Sequence, residues 1–340
     1  MGNTASPAFH ALRTWLANST LAGISNATRR FTVISVGVQK CDTRSMEKQP
    51  SGLQLWILGA RPRTLPAAFV PIFVAFGIAI SQDVAQAKLW WCGVFAFIVS
   101  VALQVGVNYA NDYSDGIKGT DSKRVGPLRL VGSGLVPAKT VKIAAFIAFG
   151  IAAVFGLFIA LATTLLLIPL GALCIAAGWL YTGGPKPYGY LGFGELFVFV
   201  FFGLVATCGS VYAITQTIDA ETVLASCIVG LLACALLVVN NLRDIPGDTT
   251  SNKLTLAVRM GDAMTRKLYY AMFVYVFLLI LLIGTRDRTA LIALIGLVAA
   301  VPALKAVKSG ALGRDLIPVL GATGKAQLAI GLLLAVGLAL

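Results

Sequence analysis

The run Asn111-Asp112-Tyr113-Ser114-Asp115 ends one long apolar segment, and Asn240-Asn241-Leu242-Arg243-Asp244, followed by Asp248, ends another. Amides and carboxylates are costly where a membrane helix faces lipid. A solvated loop, in turn, has no need of two such clusters. We therefore expect both runs to line a polar cavity inside a bundle of membrane helices.

The composition is typical of a polytopic membrane protein. Of the 340 residues, 58% are apolar and 12% are charged, and the mean hydropathy is +0.85. A helix needs about 20 apolar residues to cross the hydrocarbon core. We predict an all-α integral membrane protein with about nine transmembrane helices in one bundle, around a central polar cavity opening near the cytoplasmic side. The predicted spans lie near residues 65–81, 89–110, 142–162, 164–181, 191–214, 222–242, 268–284, 289–304 and 322–340.

The basic residues between the spans predict the orientation. They concentrate in the loops after the second and sixth spans, whereas the loop at 217–221 has no Lys or Arg. Cytoplasmic loops carry an excess of Lys and Arg. We therefore predict a multi-pass protein of the plasma membrane with its N-terminus and both motif loops in the cytoplasm, where the two motifs could contact one substrate.

The first 45 residues differ from the rest of the chain. They contain four Arg and a single acidic residue, Asp42. We predict a dispensable, disordered N-terminal extension at 1–45 and a transmembrane domain at 46–340. An organellar transit peptide is the alternative interpretation of the extension.

The net charge of +13 does not indicate a nucleic-acid partner. The basic residues lie in short loops and lack the interleaved aromatic platform of single-strand binders. The bilayer and anionic ligands explain the charge better. The only histidine, His10, lies in the extension, which excludes histidine-based metal sites from the membrane domain. The sequence carries no indication of the oligomeric state.

The spacing within the first motif is that of one helix face. Asn108 and Asp112 are four residues apart, as are Asn111 and Asp115. Side chains four apart are neighbours on a helix. These four side chains are therefore predicted to form one metal-binding wall.

The second motif repeats the four-residue step with Asn240, Asp244 and Asp248. Pro246 lies between the last two and disfavours helix for the residue before it. We therefore predict that the helix ends or kinks there and that Asp248 approaches the site from a loop.

Oxygen ligands of this kind suit a hard divalent cation. Mg²⁺ uses few carboxylates and bridges phosphate oxygens, so we predict a site for Mg²⁺ and a diphosphate. Basic side chains in the motif loops could neutralise the diphosphate. The candidates for binding the substrates, a diphosphate and its acceptor, are Asn108, Asn111, Lys118, Lys123, Arg124, Arg129, Asn240, Asn241, Lys253 and Arg259.

Four separated motifs together resemble those of the UbiA superfamily of intramembrane prenyltransferases, in its menaquinone branch. Two of them are residues 111–121 (NDYSDGIKGTD), continuing to 130, and residues 240–248 (NNLRDIPGD), continuing to 259. The other two are residues 60–66 (ARPRTLP) before the first span and 181–187 (YTGGPKP) after the fourth. The resemblance covers about residues 53–340.

The resemblance implies transfer of a polyprenyl group from polyprenyl diphosphate to 1,4-dihydroxy-2-naphthoate, with loss of carbon dioxide and diphosphate, giving demethylmenaquinone. It implies Mg²⁺ as the cofactor. Asp121 stands two residues beyond Gly119, where the superfamily pattern places its next acid, so it would reach the metal only if the loop folds back. The implied metal ligands are Asn111, Asp112, Asp115, Asp121, Asp244 and Asp248.

The candidate catalytic residues are Asp112, Asp115, Tyr181 and Lys186. Arg63 or Lys186 could bind the acceptor carboxylate. Asp115 could bind metal or instead orient or deprotonate the acceptor hydroxyl. Tyr181 could be an active-site hydroxyl or an interfacial anchor.

Two other functions remain open from the sequence. One is a transferase of the same superfamily with another aromatic acceptor, such as 4-hydroxybenzoate or homogentisate. The other is a cation-coupled secondary transporter, which a parallel repeat of the two motifs would suit. Acids clustered at one membrane face, and not at the midplane, argue against the transporter.

Overall fold

Ten helices make up most of the described chain. The computed structural model describes residues 51–82, 90–119 and 128–340, all within the unit Pro50–Leu340. The predicted extension at 1–45 lies outside these ranges, as do Asp121, Lys123 and Arg124. The helices are α1 (Gly52–Ala60), α2 (Pro66–Ser81), α3 (Trp90–Lys118), α4 (Ala138–Ala162), α5 (Leu167–Leu180), α6 (Gly194–Thr215), α7 (Ala220–Thr250), α8 (Leu256–Gly284), α9 (Arg288–Lys308) and α10 (Gly313–Ala339).

The described helices confirm the all-α membrane class but not the number of spans. Seven of them, α3, α4 and α6 to α10, are long and apolar enough to cross a membrane. Helices α1 and α2 meet at a 58° bend and pass the same test as a pair, which gives up to eight. Helix α5 has only 14 residues, fewer than the about 20 of a typical span. The predicted count of about nine is therefore not confirmed.

The bend between α1 and α2 is fixed by polar side chains of α3. Arg61 ends α1 in the left-handed conformation, with φ of 55°. The Thr64 hydroxyl then accepts hydrogen bonds from Asn108 at 3.2 Å and from Gln104 at 3.0 Å. Asn108 also donates to the Ala60 carbonyl at 2.9 Å. These bonds satisfy backbone and side-chain groups that would otherwise be exposed to an apolar interior.

Helix α7 is the central helix of the bundle. In its most apolar window 72% of the residues are buried, against 33% in α3, α4, α6, α8 and α9. Its side chains, including Ile228 and Leu232, belong to the main core with residues of α2, α8 and α10. Helices α2 and α10 approach closely because Gly77 lies against the backbone of Ala335. The second motif therefore lies at the end of the most enclosed helix.

Helix α4 presents large apolar side chains on its outer face. Phe146, Ile147, Phe158 and Leu161 are all about half exposed or more. Water-soluble proteins rarely expose an apolar surface of such extent. This face is suited to contact with lipid.

Helix α7 continues through Pro246 to Thr250, so the prediction that it ends near this proline is wrong. Asp248 therefore lies on the helix and not on a loop. Proline removes the intrahelical donor to the Leu242 carbonyl. Beyond it, two hydroxyl groups donate to other carbonyls in the last turns. Thr249 donates to the Ile245 carbonyl at 2.7 Å, and Ser251 donates to the Gly247 carbonyl at 2.8 Å.

Candidate active site

A cavity of about 610 Å³ lies among α2 to α7 and α10. Residues of both motifs form its polar end, among them Asn111, Asp115 and Asn241. Its lining extends along α3 as far as Ala96, which is about 28 Å from Asp115 at the rise of an α-helix. The lining away from the motifs is mainly apolar and includes Ile72, Ile159, Leu167, Leu170, Phe202 and Val205.

Lys253 joins the two motifs. Its ammonium nitrogen lies 3.7 Å from Oδ2 of Asp115 on α3 and 3.9 Å from Oδ1 of Asp248 on α7. All three side chains are mostly buried, so solvent and salt screen their attraction less than at a surface. Carboxylates from two helices thus face one cation at the polar end of the cavity.

Tyr190 supplies a second link to Asp115. Its phenol donates to Oδ1 of Asp115 at 2.6 Å. The ammonium groups of Lys118 and Lys253 lie 4.8 and 5.1 Å from the centroid of its ring. Lys118 also donates to the Thr182 carbonyl at 2.7 Å. A short 3₁₀ turn, Tyr188–Leu191, carries this tyrosine between α5 and α6.

Asp112 is directed to a different partner from Asp115. One of its carboxylate oxygens accepts from the backbone N–H of Leu130 at 2.8 Å, and the other from that of Val131 at 3.0 Å. The side chain is fully buried. Asp112 therefore ties the loop after the first motif to α3.

Arg243 engages the first acid of the second motif. Its guanidinium donates to both carboxylate oxygens of Asp244, each at 2.7 Å, and to Oδ1 of Asn240 at 2.8 Å. Arg243 is buried and lines the cavity. Its remaining terminal nitrogen has no hydrogen-bond partner among the described residues.

The amides of both motifs are fixed by side chains from other helices and loops. Thr182 donates to Oδ1 of Asn111 at 2.7 Å. Asn241 donates to Oε1 of Glu195 at 3.0 Å. The second carboxylate oxygen of Glu195 is buried and has no hydrogen-bond partner within the described ranges. These hydrogen bonds fix the orientation of the Asn111 and Asn241 amides at the cavity wall.

Five more of the predicted residues line the cavity: Arg63, Asn108, Arg129, Tyr181 and Asn240. Asn108 is also bonded to the bend between α1 and α2, as described above. The Tyr181 ring packs edge-on against that of Tyr188, with the ring centroids 5.5 Å apart.

The described cavity lining does not include Lys186 or Arg259. It also does not include Asp112, Lys118, Asp244 and Asp248, whose contacts are given above. Lys186 is exposed on the loop after α5. Arg259 is exposed, packs beside Gly192 and donates to the Leu254 carbonyl at 3.2 Å. Asp121, Lys123 and Arg124 lie outside the described residues, so their predicted roles stay predictions.

Sequence reasoning missed four residues of the site: Tyr190, Thr182, Glu195 and Arg243. Thr182 lies inside the recognised motif at 181–187, and Arg243 lies inside the second motif, so both were visible as neighbours of candidates. Tyr190 and Glu195 follow that motif by a few residues in an ordinary-looking stretch. No spacing rule connects them with residues 75 and 46 positions away.

The donor chemistry at the polar end fits a hard cation that arrives with a phosphate ligand. No group of three or more His, Cys, Asp or Glu side chains in the described part of the chain could hold a metal ion by itself. Mg²⁺ typically takes one or two carboxylates and completes its shell with substrate phosphates and water. Asp115 and Asp248 already face one positive charge, that of Lys253, and Asn111 adds an amide oxygen nearby on α3.

The fold and the cavity define an integral membrane protein able to enclose a ligand with an anionic head and an apolar tail. The chain belongs to the UbiA prenyltransferase family, which its residues 68–313 match. This membership makes the protein a prenyltransferase and does not favour the secondary transporter.

Curated relatives extend the family assignment. The chain is 50% identical over 284 residues to a 1,4-dihydroxy-2-naphthoate octaprenyltransferase of Mycobacterium tuberculosis, covering 84% of this chain and 96% of the relative. It is 38% identical to an enzyme of the same name from Escherichia coli, over 66% of this chain and 74% of that one.

Solved structures share the fold. A UbiA homologue from Archaeoglobus fulgidus bound to GPP and Mg²⁺ superimposes with a TM-score of 0.57 at 14% identity, over 82% of this chain and 98% of that chain. A digeranylgeranylglyceryl phosphate synthase gives a TM-score of 0.53 at 17% identity, over 84% and 98% of the two chains. Similarity at these identities shows the fold alone.

Proposed function

We propose that this protein transfers a polyprenyl group from polyprenyl diphosphate to 1,4-dihydroxy-2-naphthoate in a Mg²⁺-dependent reaction. The allylic carbon–oxygen bond of the donor breaks, a bond forms to the carboxyl-bearing carbon of the acceptor, and diphosphate and carbon dioxide leave. The product is demethylmenaquinone in its reduced form. The relatives at 50% and 38% identity support the choice of acceptor.

The observation that carries the proposal is the meeting of Asp115 and Asp248 at Lys253, at the polar end of a largely apolar cavity. A prenyl diphosphate has the same polarity along its length. Its head group would lie among the motifs, and its tail would lie along α3 in the apolar part.

At the polar end, Asn111, Asp115 and Asp248 would hold Mg²⁺ together with the diphosphate. Bound there, the ion supplies positive charge to the leaving oxygens. Lys118, Lys253 and Arg129 would add cationic hydrogen-bond donors to the same oxygens. Asp112 and Asp244 would act one step away, by fixing the loop at 128–136 and the position of Arg243.

In the apolar part, aromatic side chains would protect the allylic cation. Tyr188, Phe197, Phe201 and Phe202 line the cavity. Aromatic faces attract cations, and the apolar lining excludes the water that would otherwise quench the reactive carbon.

The acceptor would approach the same end of the cavity. Arg63 lines it and could bind the acceptor carboxylate, whereas Lys186 is exposed on a loop outside the described lining. Tyr181 could donate a hydrogen bond to an acceptor oxygen. Asp115, already bonded to Tyr190, could instead receive an acceptor proton.

The enzyme would be a multi-pass protein of the plasma membrane with both motif loops in the cytoplasm. The positive loops after α3 and α7 support this orientation. If α5 crosses the bilayer as a short, tilted or partly re-entrant helix, the chain has nine spans and the cavity opens toward the cytoplasm.

The proposal is tested by incubating the purified protein with polyprenyl diphosphate, Mg²⁺ and one acceptor at a time. The mass of the lipid product is then determined by mass spectrometry. We expect product with 1,4-dihydroxy-2-naphthoate that has lost carbon dioxide, and none with 4-hydroxybenzoate or homogentisate. Product with either of the latter alone would establish the alternative acceptor. Asp115→Ala protein is the control for enzyme-independent prenylation.

A further inference from the structure

We propose that Tyr190 is a positioning residue that arranges the diphosphate-binding groups of both motifs, a role that rests on the proposed function. Its phenol orients Asp115, and its ring gathers the ammonium groups of Lys118 and Lys253. The inference goes beyond the metal-binding motifs, because Tyr190 belongs to neither.

The first observation is how the two oxygens of Asp115 are shared. Oδ1 accepts from the Tyr190 phenol at 2.6 Å, while Oδ2 faces Lys253 at 3.7 Å. A hydrogen bond this short to a carboxylate is a strong one. It fixes the rotation of the carboxylate, and this rotation directs Oδ2 to the Lys253 ammonium, which also faces Asp248.

The second observation is that two cations share one ring. Lys118 comes from the end of the first motif helix and Lys253 from the loop after the second, and both lie within 5.1 Å of the Tyr190 centroid. Like charges repel, and the negative face of an aromatic ring offsets part of this cost. The Asp115 and Asp248 carboxylates beside Lys253 offset a further part. A diphosphate bound next to the two ammonium groups would add more negative charge.

The third observation is that the local backbone is shaped to present Tyr190. The Gly189 N–H donates to the Tyr181 carbonyl at 3.0 Å, and a Cβ at Gly189 would come within 2.6 Å of that oxygen. Gly192 ends the turn with φ of 85°, a conformation that favours glycine. The 3₁₀ turn is thus held against α5 and carries the tyrosine to the site.

Two substitutions separate the two parts of this role. Tyr190→Phe keeps the ring and removes the hydrogen bond to Asp115, whereas Tyr190→Leu removes both. Tyr275→Phe and Tyr275→Leu are matched controls, because Tyr275 is 58% exposed on the outer face of α8. Melting temperatures in detergent show whether each variant is folded.

The measurement is calorimetric binding of geranyl S-thiolodiphosphate, a diphosphate that does not react, with and without Mg²⁺. For Tyr190→Phe we expect unchanged affinity without metal and about tenfold loss of the Mg²⁺-dependent gain, the scale of a hydrogen bond to a charged group. For Tyr190→Leu we expect a further loss of about fivefold that is present without metal. The Tyr275 variants should bind like the wild type.

Several results would overturn the proposal. Binding by both Tyr190 variants equal to the wild type would do so, as would equal losses in both variants with and without Mg²⁺, which indicate a merely structural role. Unchanged binding with a reduced kcat in Tyr190→Phe would make the residue catalytic. If the wild-type protein binds no thiolodiphosphate, the proposed function fails together with the role of Tyr190. If the wild type binds it and the Tyr190 variants behave as described above, only the role of Tyr190 fails.

Discussion

Arg243 forms a buried, two-bond ion pair with its own neighbour Asp244, at 2.7 Å for each bond. An adjacent pair of this kind neutralises the acid within the helix that carries it. The second motif thus contributes one acid that faces Lys253, Asp248, and one that is occupied by an arginine.

The first prediction concerns the stability of this pair. Arg243→Met should destabilise the protein by about 3–5 kcal/mol, because a buried carboxylate loses its bidentate partner. Asp262→Asn is the control, because Asp262 is exposed and its mostly buried partner Arg266 keeps its bonds to the Val307 and Ala311 carbonyls. This change should cost at most about 1 kcal/mol. Thermal unfolding in detergent measures both. Equal melting temperatures for the two variants would show that the buried pair contributes no more to stability than the pair of Asp262 with Arg266.

The second prediction separates Asp112 from Asp115. The Asp112 carboxylate accepts hydrogen bonds from two backbone N–H groups. Asp112→Asn should lower the melting temperature, because the amide nitrogen would face one of these donors and leave it without an acceptor. Asp115→Asn should keep the melting temperature and lose at least about a hundredfold in turnover. The expectation fails if the two variants lose melting temperature and turnover to the same extent.

The third prediction is that loss of the Lys253 charge strengthens metal binding and weakens binding of the prenyl donor. Lys253→Met removes the cation between Asp115 and Asp248, so Mn²⁺ used as a probe for Mg²⁺ should bind more tightly in the absence of substrate. The KM for polyprenyl diphosphate should rise about tenfold or more, because a charged contact to the diphosphate is lost. Lys267→Met, at an exposed lysine of α8, is the control. Changes of the same sign in both constants would contradict this account.

The fourth prediction tests the contact between α2 and α10. Gly77→Ala places a methyl group against the Ala335 carbonyl and should cost about 1–3 kcal/mol, as overpacking does. Gly150→Ala has nothing within 4 Å of the new methyl group and should stabilise α4 by up to about 1 kcal/mol. Unfolding of both variants in the same detergent gives the comparison, and a Gly77→Ala protein as stable as Gly150→Ala would refute it.

The fifth prediction concerns residues 1–45. Protein that starts at Met46 should insert into membranes and turn over like the full chain, because the site is built from residues 58 onward. A truncated protein that inserts but is inactive would show that the extension takes part in function.

Many residues of the site can be predicted from sequence, because the polar side chains of each motif recur every four residues along its helix. This periodicity predicts that Asn111 and Asp115 lie together, and the charge of the loops predicts that both motifs lie at one end of the bundle. What the periodicity does not contain is the partner of each side chain. Asp112 and Asp115 are equivalent by pattern, yet one bonds to the loop backbone at 130–131 and the other faces Lys253.

Two further features depend on contacts that local sequence does not encode. Helix α7 passes through Pro246 within a bundle that buries Leu242, Arg243 and Asp244, and such tertiary packing is not visible in the local sequence. The role of Tyr190 depends on the packing of a loop against α3. The number of spans depends on α5, which is apolar but has only 14 residues, fewer than a typical span.

The long axis of the cavity has a consequence for the product. Its lining follows α3 from Asp115 to Ala96, about 28 Å at the rise of an α-helix, which is close to the roughly 30 Å thickness of the hydrocarbon core. In the proposed orientation, a product formed at the motif end would have its ring at the water boundary and its isoprenoid chain directed into the bilayer. A quinol released sideways from such a cavity would have the orientation of a membrane lipid and would need no flipping step before it diffuses away.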